Sequence, residues 1–235
     1  MAERLRIEIT PEESITALLY EAKKPSGICL ILAHGAGAPQ QSGFMVKFAS
    51  ALAARGIDTA TFNFLYTENK KRVPDRNDKL ELCWNRVIET FEGDIIPKLG
   101  KRQLAIGGKS MGGRIATQVA AGSSAAAGIA ALVLLGYPLH PPGRPEQPRT
   151  KHLPAIRAPM LFIQGSNDAF GTPEELRPIL RTLKARTELY VVEGGDHSFK
   201  VPKSSGQSQE AVYERVLDEI ARWLRDICSE RLPPL

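Results

Sequence analysis

Residues 107–114 read GGKSMGGR, and two kinds of chemistry fit this stretch. Residues 108–112 match G-x-S-x-G, which places Ser110 as a nucleophile on a tight turn between a strand and a helix. The letters GKS also match the end of a phosphate-binding loop, G-x-x-x-x-G-K-[ST]. That loop needs a glycine where the sequence has Gln103, and an apolar strand pattern fills the place of the loop. The stretch therefore predicts a serine nucleophile, with Lys109 only the variable position of the turn.

A serine hydroxyl is a weak nucleophile unless a base accepts its proton, and the sequence offers four histidines for that role. His34 precedes Ser110 in the chain, and His140 and His152 lie in a proline-rich connection. His197 follows the last predicted strand, where a loop can carry an imidazole over the strand ends. We therefore predict His197 as the base.

The base needs an acid to orient it, and Asp168 is the candidate. After the apolar run 130–137 no acid occurs until Glu146, whereas the run 159–165 is followed by QGSNDAFGT with Asp168 at the loop tip. Asp196 and Glu193 are rivals: Asp196 adjoins His197, and neighbouring side chains usually diverge, while Glu193 lies at the end of a strand. An aspartate in such a loop also commonly caps local amides, so that structural role for Asp168 stays open.

Acyl transfer also needs donors for the oxygen that gains charge. One predicted donor is the amide of Met111, at the start of the helix after the nucleophile. The other should come from the glycine-rich AHGAGAP loop, with Ala36 as the first choice and Gly35 or Gly37 as rivals. An ordinary strand-to-helix turn would also be rich in glycine.

Alternating strand and helix patterns must position these residues. Residues 5–9 and 15–19 alternate between apolar and polar side chains, which predicts an antiparallel hairpin. The later runs are mostly apolar throughout, as in strands covered on both faces. They are 28–33, 59–66, 104–108, 130–137, 159–165 and 188–194.

Helical patterns separate these runs. Apolar residues at helical spacing mark helices at 44–52, 80–95 (ending near Gly100) and 212–224, and Thr172 with Glu175 forms a capping box at the start of another. Together the patterns predict an α/β fold: a mostly parallel twisted sheet with an N-terminal antiparallel hairpin and helices on both faces. We expect one domain over residues 1–235.

Composition excludes several classes of function. A formal net charge of +5 on 235 residues does not indicate a nucleic-acid-binding protein. Cys29, Cys83 and Cys228 are widely spaced and odd in number, so neither a disulfide framework nor a thiolate metal site is predicted, and a cytoplasmic location fits best. The start of the chain lacks a secretory signal pattern, and polar residues interrupt the uncharged stretch 115–142, so no membrane span is predicted.

The segments HGAGAP, GGKSMGGR, QGSNDAFGT and GGDHSF, in this order, resemble the α/β-hydrolase superfamily over nearly the whole chain. Within it, the small size and the segments at 62–75 and 136–153 resemble the dienelactone-hydrolase-like group, and more narrowly relatives of a testis-expressed hydrolase-like protein and of a hydrolase-like subunit of a histone-acetyltransferase complex. The resemblance implies Ser110, Asp168 and His197 as a catalytic triad. It departs from dienelactone hydrolases proper, whose nucleophile is cysteine.

The expected function is hydrolysis of a small acyl ester, without metal or cofactor, and the alternative is an interaction module with an idle site. The connection 139–156 is too short to build a helical lid, so we expect an open pocket. The loop 69–76 carries Lys70, Lys71, Arg72 and Arg76 and would steer an anionic substrate, although such a charge run is more often only a solvated loop. The sequence does not indicate an oligomeric state or the substrate-binding residues.

Overall fold

The computed structural model describes residues 2–122 and 128–230 of the chain. Eight strands form one sheet in the order β1-β2-β4-β3-β5-β6-β7-β8. The strands are β1 (Glu3–Glu8), β2 (Ser14–Tyr20), β3 (Ile28–Ala33), β4 (Asp58–Phe62), β5 (Gln103–Lys109), β6 (Ile129–Leu135), β7 (Met160–Gly165) and β8 (Thr187–Val192).

The sheet is mostly parallel, as predicted. β1 pairs with β2 and β2 pairs with β4 in antiparallel fashion, whereas every pair from β4 through β8 is parallel. All residues of β3, β4, β6 and β7 are buried, because helices cover both faces of the central strands. The carboxyl ends of the parallel strands therefore meet at one edge, where ligands bind in sheets of this kind.

Seven α-helices surround the sheet in the described part of the chain. They are α1 (Gly43–Ala54), α2 (Leu65–Glu68), α3 (Asn77–Thr90), α4 (Ile96–Leu99), α5 (Met111–Gly122), α6 (Pro173–Leu180) and α7 (Gln209–Glu230). Apolar side chains of α3, α5 and α6 pack in one core cluster, and those of α1 and α7 pack in a second. The two clusters lie on opposite faces of the sheet, since alternate residues of β3 belong to each of them.

The predicted strand 59–66 is wrong in its second half, because β4 ends at Phe62 and α2 begins at Leu65. At the strand end the backbone amide of Phe64 donates to His34 Nε2 at 3.3 Å instead of to a neighbouring strand. Leu65 and Tyr66 are buried as helical residues, so the apolar run continues through a change of structure that periodicity does not detect.

The helix predicted over 80–95 exists but is not uniform. α3 passes into a π-helical turn at Phe91–Ile95 and then into α4, which ends at Leu99, next to Gly100, as expected. Pro97 lies just after the π-helical turn. Proline has no N–H to donate, and its ring would meet the carbonyl of residue 93 in a regular α-helix, so the wider turn relieves that contact.

No cap covers the carboxyl edge in the described residues: the connection between β6 and β7 holds only the short 3-10 turn Leu153–Ala155. The uncharged stretch 115–142 consists of α5, β6 and part of this connection, and its residues 123–127 lie outside the described residues. Among the described helices, none is both long and apolar enough to cross a membrane.

Candidate active site

Ser110 sits on a sharp turn between β5 and α5. Its φ is +52°, a left-handed conformation that is rare for a residue with a side chain. The turn is held on both sides: the Ser110 amide donates to the Leu135 carbonyl at 2.9 Å, and its carbonyl accepts from the Arg114 amide at 3.0 Å. This strain presents the Ser110 hydroxyl at the carboxyl edge of the sheet.

The glycines on either side of Ser110 permit this turn. A Cβ atom on Gly108 would lie 2.4 Å from the carbonyl oxygen of Ala33, and one on Gly112 would lie 2.5 Å from the same oxygen. Real Cβ atoms do not approach backbone so closely, so the turn can pack against the end of β3 only with glycine at both positions.

The three residues predicted from the sequence lie together. His197 Nε2 is 2.8 Å from Ser110 Oγ, and His197 Nδ1 is 2.9 Å from Asp168 Oδ1 and 2.8 Å from Oδ2. If Nδ1 carries the proton and donates it to the carboxylate, Nε2 is free to accept the hydroxyl proton of Ser110. The arrangement can therefore activate a serine hydroxyl as a nucleophile.

Asp168 is only 1% exposed, and local donors hold its carboxylate in place. Oδ1 accepts from the backbone amide of Phe170 at 2.8 Å, and Oδ2 accepts from Gln164 Nε2 at 2.8 Å. Asp168 thus also caps a local amide, the structural role left open from the sequence, but it contacts the imidazole as well. Buried and bonded in this way, the carboxylate has little freedom to turn away from His197.

Two residues that contribute to this geometry were missed in the sequence. Gln164, at the end of β7, is fully buried and also binds the backbone of Tyr137 and Gly171, so it fixes the acid from below. The Phe170 ring lies 4.3 Å from the His197 ring, centroid to centroid, and covers one face of the imidazole. Gln164 could have been found as a polar residue at the end of an apolar strand, whereas no sequence pattern indicated the role of Phe170.

The rival acids do not contact the imidazole. Asp196 Oδ1 accepts from the amides of Ser198 at 2.7 Å and Lys200 at 2.9 Å, so it holds the loop that bears His197. Glu193 is exposed, and its side chain forms no hydrogen bond or ion pair with the described residues. The geometry therefore favours Asp168.

The other three histidines have partners away from Ser110. His152 Nε2 lies 2.8 Å from Thr117 Oγ1, and burial lowers its pKa to about 4, with Arg114 adding to the effect. His140 Nδ1 contacts its neighbour's carbonyl, and Nε2 pairs with Glu175 at 3.3 Å. His34 lies under the glycine-rich loop and is treated with it.

The glycine-rich loop is fixed from beneath by His34 and Tyr66. His34 Nε2 accepts from the Phe64 amide, so the proton is on Nδ1, which donates to the Gly35 carbonyl at 2.7 Å. Burial lowers the pKa of His34, which keeps the ring neutral. The Tyr66 hydroxyl donates to the Ala36 carbonyl at 3.3 Å. A peptide is planar and trans, so the Ala36 N–H points away from the side on which His34 binds the Gly35 carbonyl.

All four candidate donors, Gly35, Ala36, Gly37 and Met111, line the same cavity as Ser110. Met111 is the first residue of α5, so its N–H has no acceptor within the helix. Within the described chain neither this amide nor that of Ala36 donates to a protein acceptor. Both are therefore available to a ligand oxygen.

Lys109 is more than the variable position of a turn. The residue is 8% exposed, and its Nζ is buried without a hydrogen-bond partner among the described residues. Burial lowers the Lys109 pKa to about 8, although Asp168 and Asp196 act in the opposite direction. A turn residue would normally keep its ammonium in water, so the chain retains this group here at a cost to stability.

The cavity over Ser110 has a volume of about 610 Å³, in the range of small-molecule sites. Loop residues after β3, the start of α5 and the loop bearing His197 line it. Arg114 and Arg149 lie in its wall, whereas Lys70, Lys71 and Arg72 do not, and Arg76 is 91% exposed and pairs with Asp78. In the described residues no group of three or more His, Cys, Asp or Glu side chains could hold a metal ion.

Comparison with known families matches residues 26–225 to the model described as an alpha/beta hydrolase domain. The chain belongs to the α/β-hydrolase family. This match spans every candidate site residue of this α/β hydrolase, from Gly35 to His197.

Solved structures share the fold of this α/β hydrolase at low sequence identity. An alpha-beta serine hydrolase homologue from Coxiella burnetii is 18% identical, with a TM-score of 0.72 over 94% of this chain and 97% of its own. Dienelactone hydrolase from Anabaena variabilis is 19% identical, with a TM-score of 0.71 over 99% of both chains. A serine hydrolase without a lid from Xanthomonas campestris is 19% identical, with a TM-score of 0.68 over 100% of this chain and 96% of its own.

Proposed function

We propose that this α/β hydrolase is a serine hydrolase that cleaves carboxylic esters through Ser110, His197 and Asp168. The observation that carries the proposal is the unbroken series of contacts from Ser110 Oγ to His197 to Asp168, each at 2.8 Å. A scaffold protein has no physical need for a serine, an imidazole and a buried carboxylate in this order at one edge of a sheet.

In the proposed reaction, Ser110 Oγ attacks the acyl carbon while His197 Nε2 accepts the hydroxyl proton. Asp168 stabilises the imidazolium that forms, and His197 then gives the proton to the departing alcohol. Water attacks the acyl-serine, again losing its proton to Nε2, which returns a proton to Ser110 as the acid is released. These steps use only the three side chains, the ester and one water molecule.

The oxygen that becomes negative in each tetrahedral intermediate needs donors that are already in place. We assign these to the amides of Met111 and Ala36, with Gly35 and Gly37 as the rivals to Ala36. Met111 and Ala36 line the cavity, and neither amide donates to an acceptor among the described residues. His34 supports the assignment, because its bond to the Gly35 carbonyl fixes the peptide that carries the Ala36 N–H.

The substrate class follows from the open cavity. No cap encloses it in the part of the chain that the structure describes, so we propose small or flexible acyl esters as substrates. The narrower resemblance to the testis-expressed and histone-acetyltransferase-associated relatives, a cytoplasmic location and a single domain over residues 1–235 remain predictions from the sequence. A panel of p-nitrophenyl esters of increasing acyl length would define the acyl group.

Labelling with a fluorophosphonate probe tests the proposal. We expect the wild-type protein to label and Ser110→Ala to lose labelling, with His197→Ala labelling far more slowly. Ser50→Ala is the matched control, since Ser50 is an exposed serine on α1 outside the cavity wall. Equal labelling of Ser110→Ala would contradict the proposal. A wild-type protein that neither labels nor hydrolyses esters would favour the interaction module with an idle site.

A further inference from the structure

Two arginines from different elements line the cavity that contains Ser110. Arg114 lies one helical turn after Ser110 on α5, and Arg149 lies in the connection between β6 and β7. Both side chains are only half-buried, so their guanidinium groups can reach a ligand in the cavity. The chain thus brings two permanent positive charges to the wall beside the nucleophile.

Neither arginine forms an ion pair with the described residues. Arg114 donates to the amide oxygens of Gln118 at 3.2 Å and Asn77 at 3.4 Å, which are uncharged partners. The guanidinium of Arg149 makes no hydrogen bond or ion pair with the described residues. Asp75 is the one carboxylate in the cavity wall, and among the described residues no carboxylate forms a salt bridge with either arginine.

The two arginines line the same cavity, so their like charges oppose each other. The pKa of Arg114 is lowered first by burial and then by Arg149, although Tyr137 and Glu81 act in the opposite direction. Like charges held together in a partly buried wall are unfavourable for the empty protein, and an anion placed between them would relieve that repulsion.

The backbone holds this pair in position. The Tyr137 hydroxyl donates to the Arg149 carbonyl at 2.7 Å, and the Arg149 amide donates to the Leu139 carbonyl at 2.7 Å. Arg114 is fixed through its own backbone, because its amide donates to the Ser110 carbonyl and its carbonyl accepts from Thr117 Oγ1 at 2.6 Å. A site whose supports are already formed loses little entropy when a ligand binds.

We propose that Arg114 and Arg149 form a subsite that binds a carboxylate group carried by the ester substrate. Arginine suits this role because its planar fork of donors matches a carboxylate. The inference rests on the proposed hydrolysis at Ser110 and adds the substrate class: esters of dicarboxylic acids or of carboxylate-bearing alcohols. The basic side chains Lys70, Lys71 and Arg72 of the loop 69–76 are not part of this subsite, because they lie outside the cavity wall, although Asp75 of the same loop lies in it.

Matched ester pairs test the subsite. The first pair is the p-nitrophenyl monoester of glutaric acid and its methyl ester, and the second is 4-acetoxybenzoate and its methyl ester. We expect the wild-type protein to prefer the anionic member of at least one pair. Arg114→Gln with Arg149→Gln should raise KM for that anionic ester by about 10- to 100-fold, because each charge-assisted hydrogen bond is replaced by a weaker one. KM for the neutral ester should change little.

Two variants serve as controls. Arg149→Lys keeps the charge but loses the fork and should show an intermediate KM. Arg144→Gln removes an exposed arginine from the same connection, outside the cavity wall, and should behave like the wild type. Fluorophosphonate labelling of each variant checks that Ser110 has kept its environment.

The possible failures are distinguishable. If the wild-type protein labels and hydrolyses the neutral esters at least as well as the anionic ones, the subsite is wrong and the proposed function stands. If it neither labels nor hydrolyses any ester, the proposed function fails. Binding then decides the subsite alone: glutarate should raise the melting temperature of the wild type but not of the double variant, and equal shifts would overturn the subsite.

Discussion

Gly165 lies directly beneath the carbonyl of Gly195: a Cβ atom on Gly165 would be 2.3 Å from that oxygen. Gly165 ends β7, and Gly195 belongs to the loop that leaves β8. The next strand shows the same relationship, since a Cβ on Gly136 would be 2.8 Å from the His197 carbonyl. The loop after β8 can therefore cross β7 and β6 at close range, which is how His197 reaches Ser110 although 87 positions separate them.

Gly165→Ala should displace this loop. Because the nearest atoms are backbone, the added methyl group cannot be accommodated by a side-chain rotation, and we expect a loss of roughly 1–3 kcal/mol in the free energy of unfolding together with a lower kcat. Urea denaturation and ester hydrolysis measure the two effects. Gly122→Ala is the control, because a Cβ there meets none of the described residues within 4 Å, and the substitution should be neutral or stabilising. Unchanged kcat in Gly165→Ala would show that the crossing does not position His197.

Asp168→Asn should lower kcat by about 10⁴-fold, because an amide that donates toward Nδ1 favours the wrong tautomer of His197. Stopped-time assays with an activated ester at saturating concentration measure the loss. Asp196→Asn is a stringent control: its remaining oxygen can still accept from the amides of Ser198 and Lys200, so activity should be retained. A comparable loss of kcat in both variants would contradict the assignment of Asp168, rather than Asp196, as the acid that orients His197.

Lys109→Met should stabilise the protein at pH 7. The Lys109 pKa is about 8 in the folded protein against an ordinary 10.5, so at pH 7 burial of the ammonium costs up to about 3 kcal/mol. Between pH 8 and 10.5 the unfolded chain binds the extra proton, so the wild type gains stability as pH rises through this interval. The advantage of Lys109→Met should therefore shrink from pH 8 to 10.5, as followed by urea denaturation. Lys23→Met, at an exposed lysine, should show no such dependence.

Neutralising Lys70, Lys71 and Arg72 should affect anionic esters only at low salt. These side chains lie outside the cavity wall, so they would act by long-range electrostatic attraction. Salt screens this attraction, and the Debye length falls to about 3 Å at 1 M ionic strength. We expect a lower kcat/KM for anionic esters in dilute buffer and none of that loss at high salt. Equal effects on neutral and anionic esters would contradict substrate steering and would favour the interpretation of residues 69–76 as an ordinary solvated loop.

Much of the fold could be predicted because local patterns and tertiary structure agree. The capping box at Thr172 is present, with the Glu175 amide donating to Thr172 Oγ1 and the Thr172 amide donating to the Glu175 carboxylate. The hairpin and the buried parallel strands also match their patterns. The error at 63–66 arose because buried helical and buried strand residues are equally apolar over a short run.

Less of the candidate site than of the fold could be predicted from the sequence. Ser110, Asp168 and His197 each follow a strand, and strand ends are visible in a sequence. By contrast, Arg114 and Arg149 line one cavity because of how the connection after β6 folds back over α5, and no periodic pattern encodes that path. The burial of Lys109 was missed for the same reason: it depends on the loop from β8 crossing over Gly136, whose Cβ would lie 3.1 Å from Lys109 Nζ.

The uncovered edge of the sheet has a chemical consequence beyond hydrolysis. Because no cap covers Ser110 among the described residues, any small nucleophile in solution could reach the proposed acyl-serine. Water would attack it more often than other nucleophiles only because water is more concentrated. An alcohol or a thiol present at high concentration would then take the acyl group and leave as a new ester or thioester. The partition between acid and methyl ester in methanol-containing buffer would measure how far the protein acts as an acyltransferase.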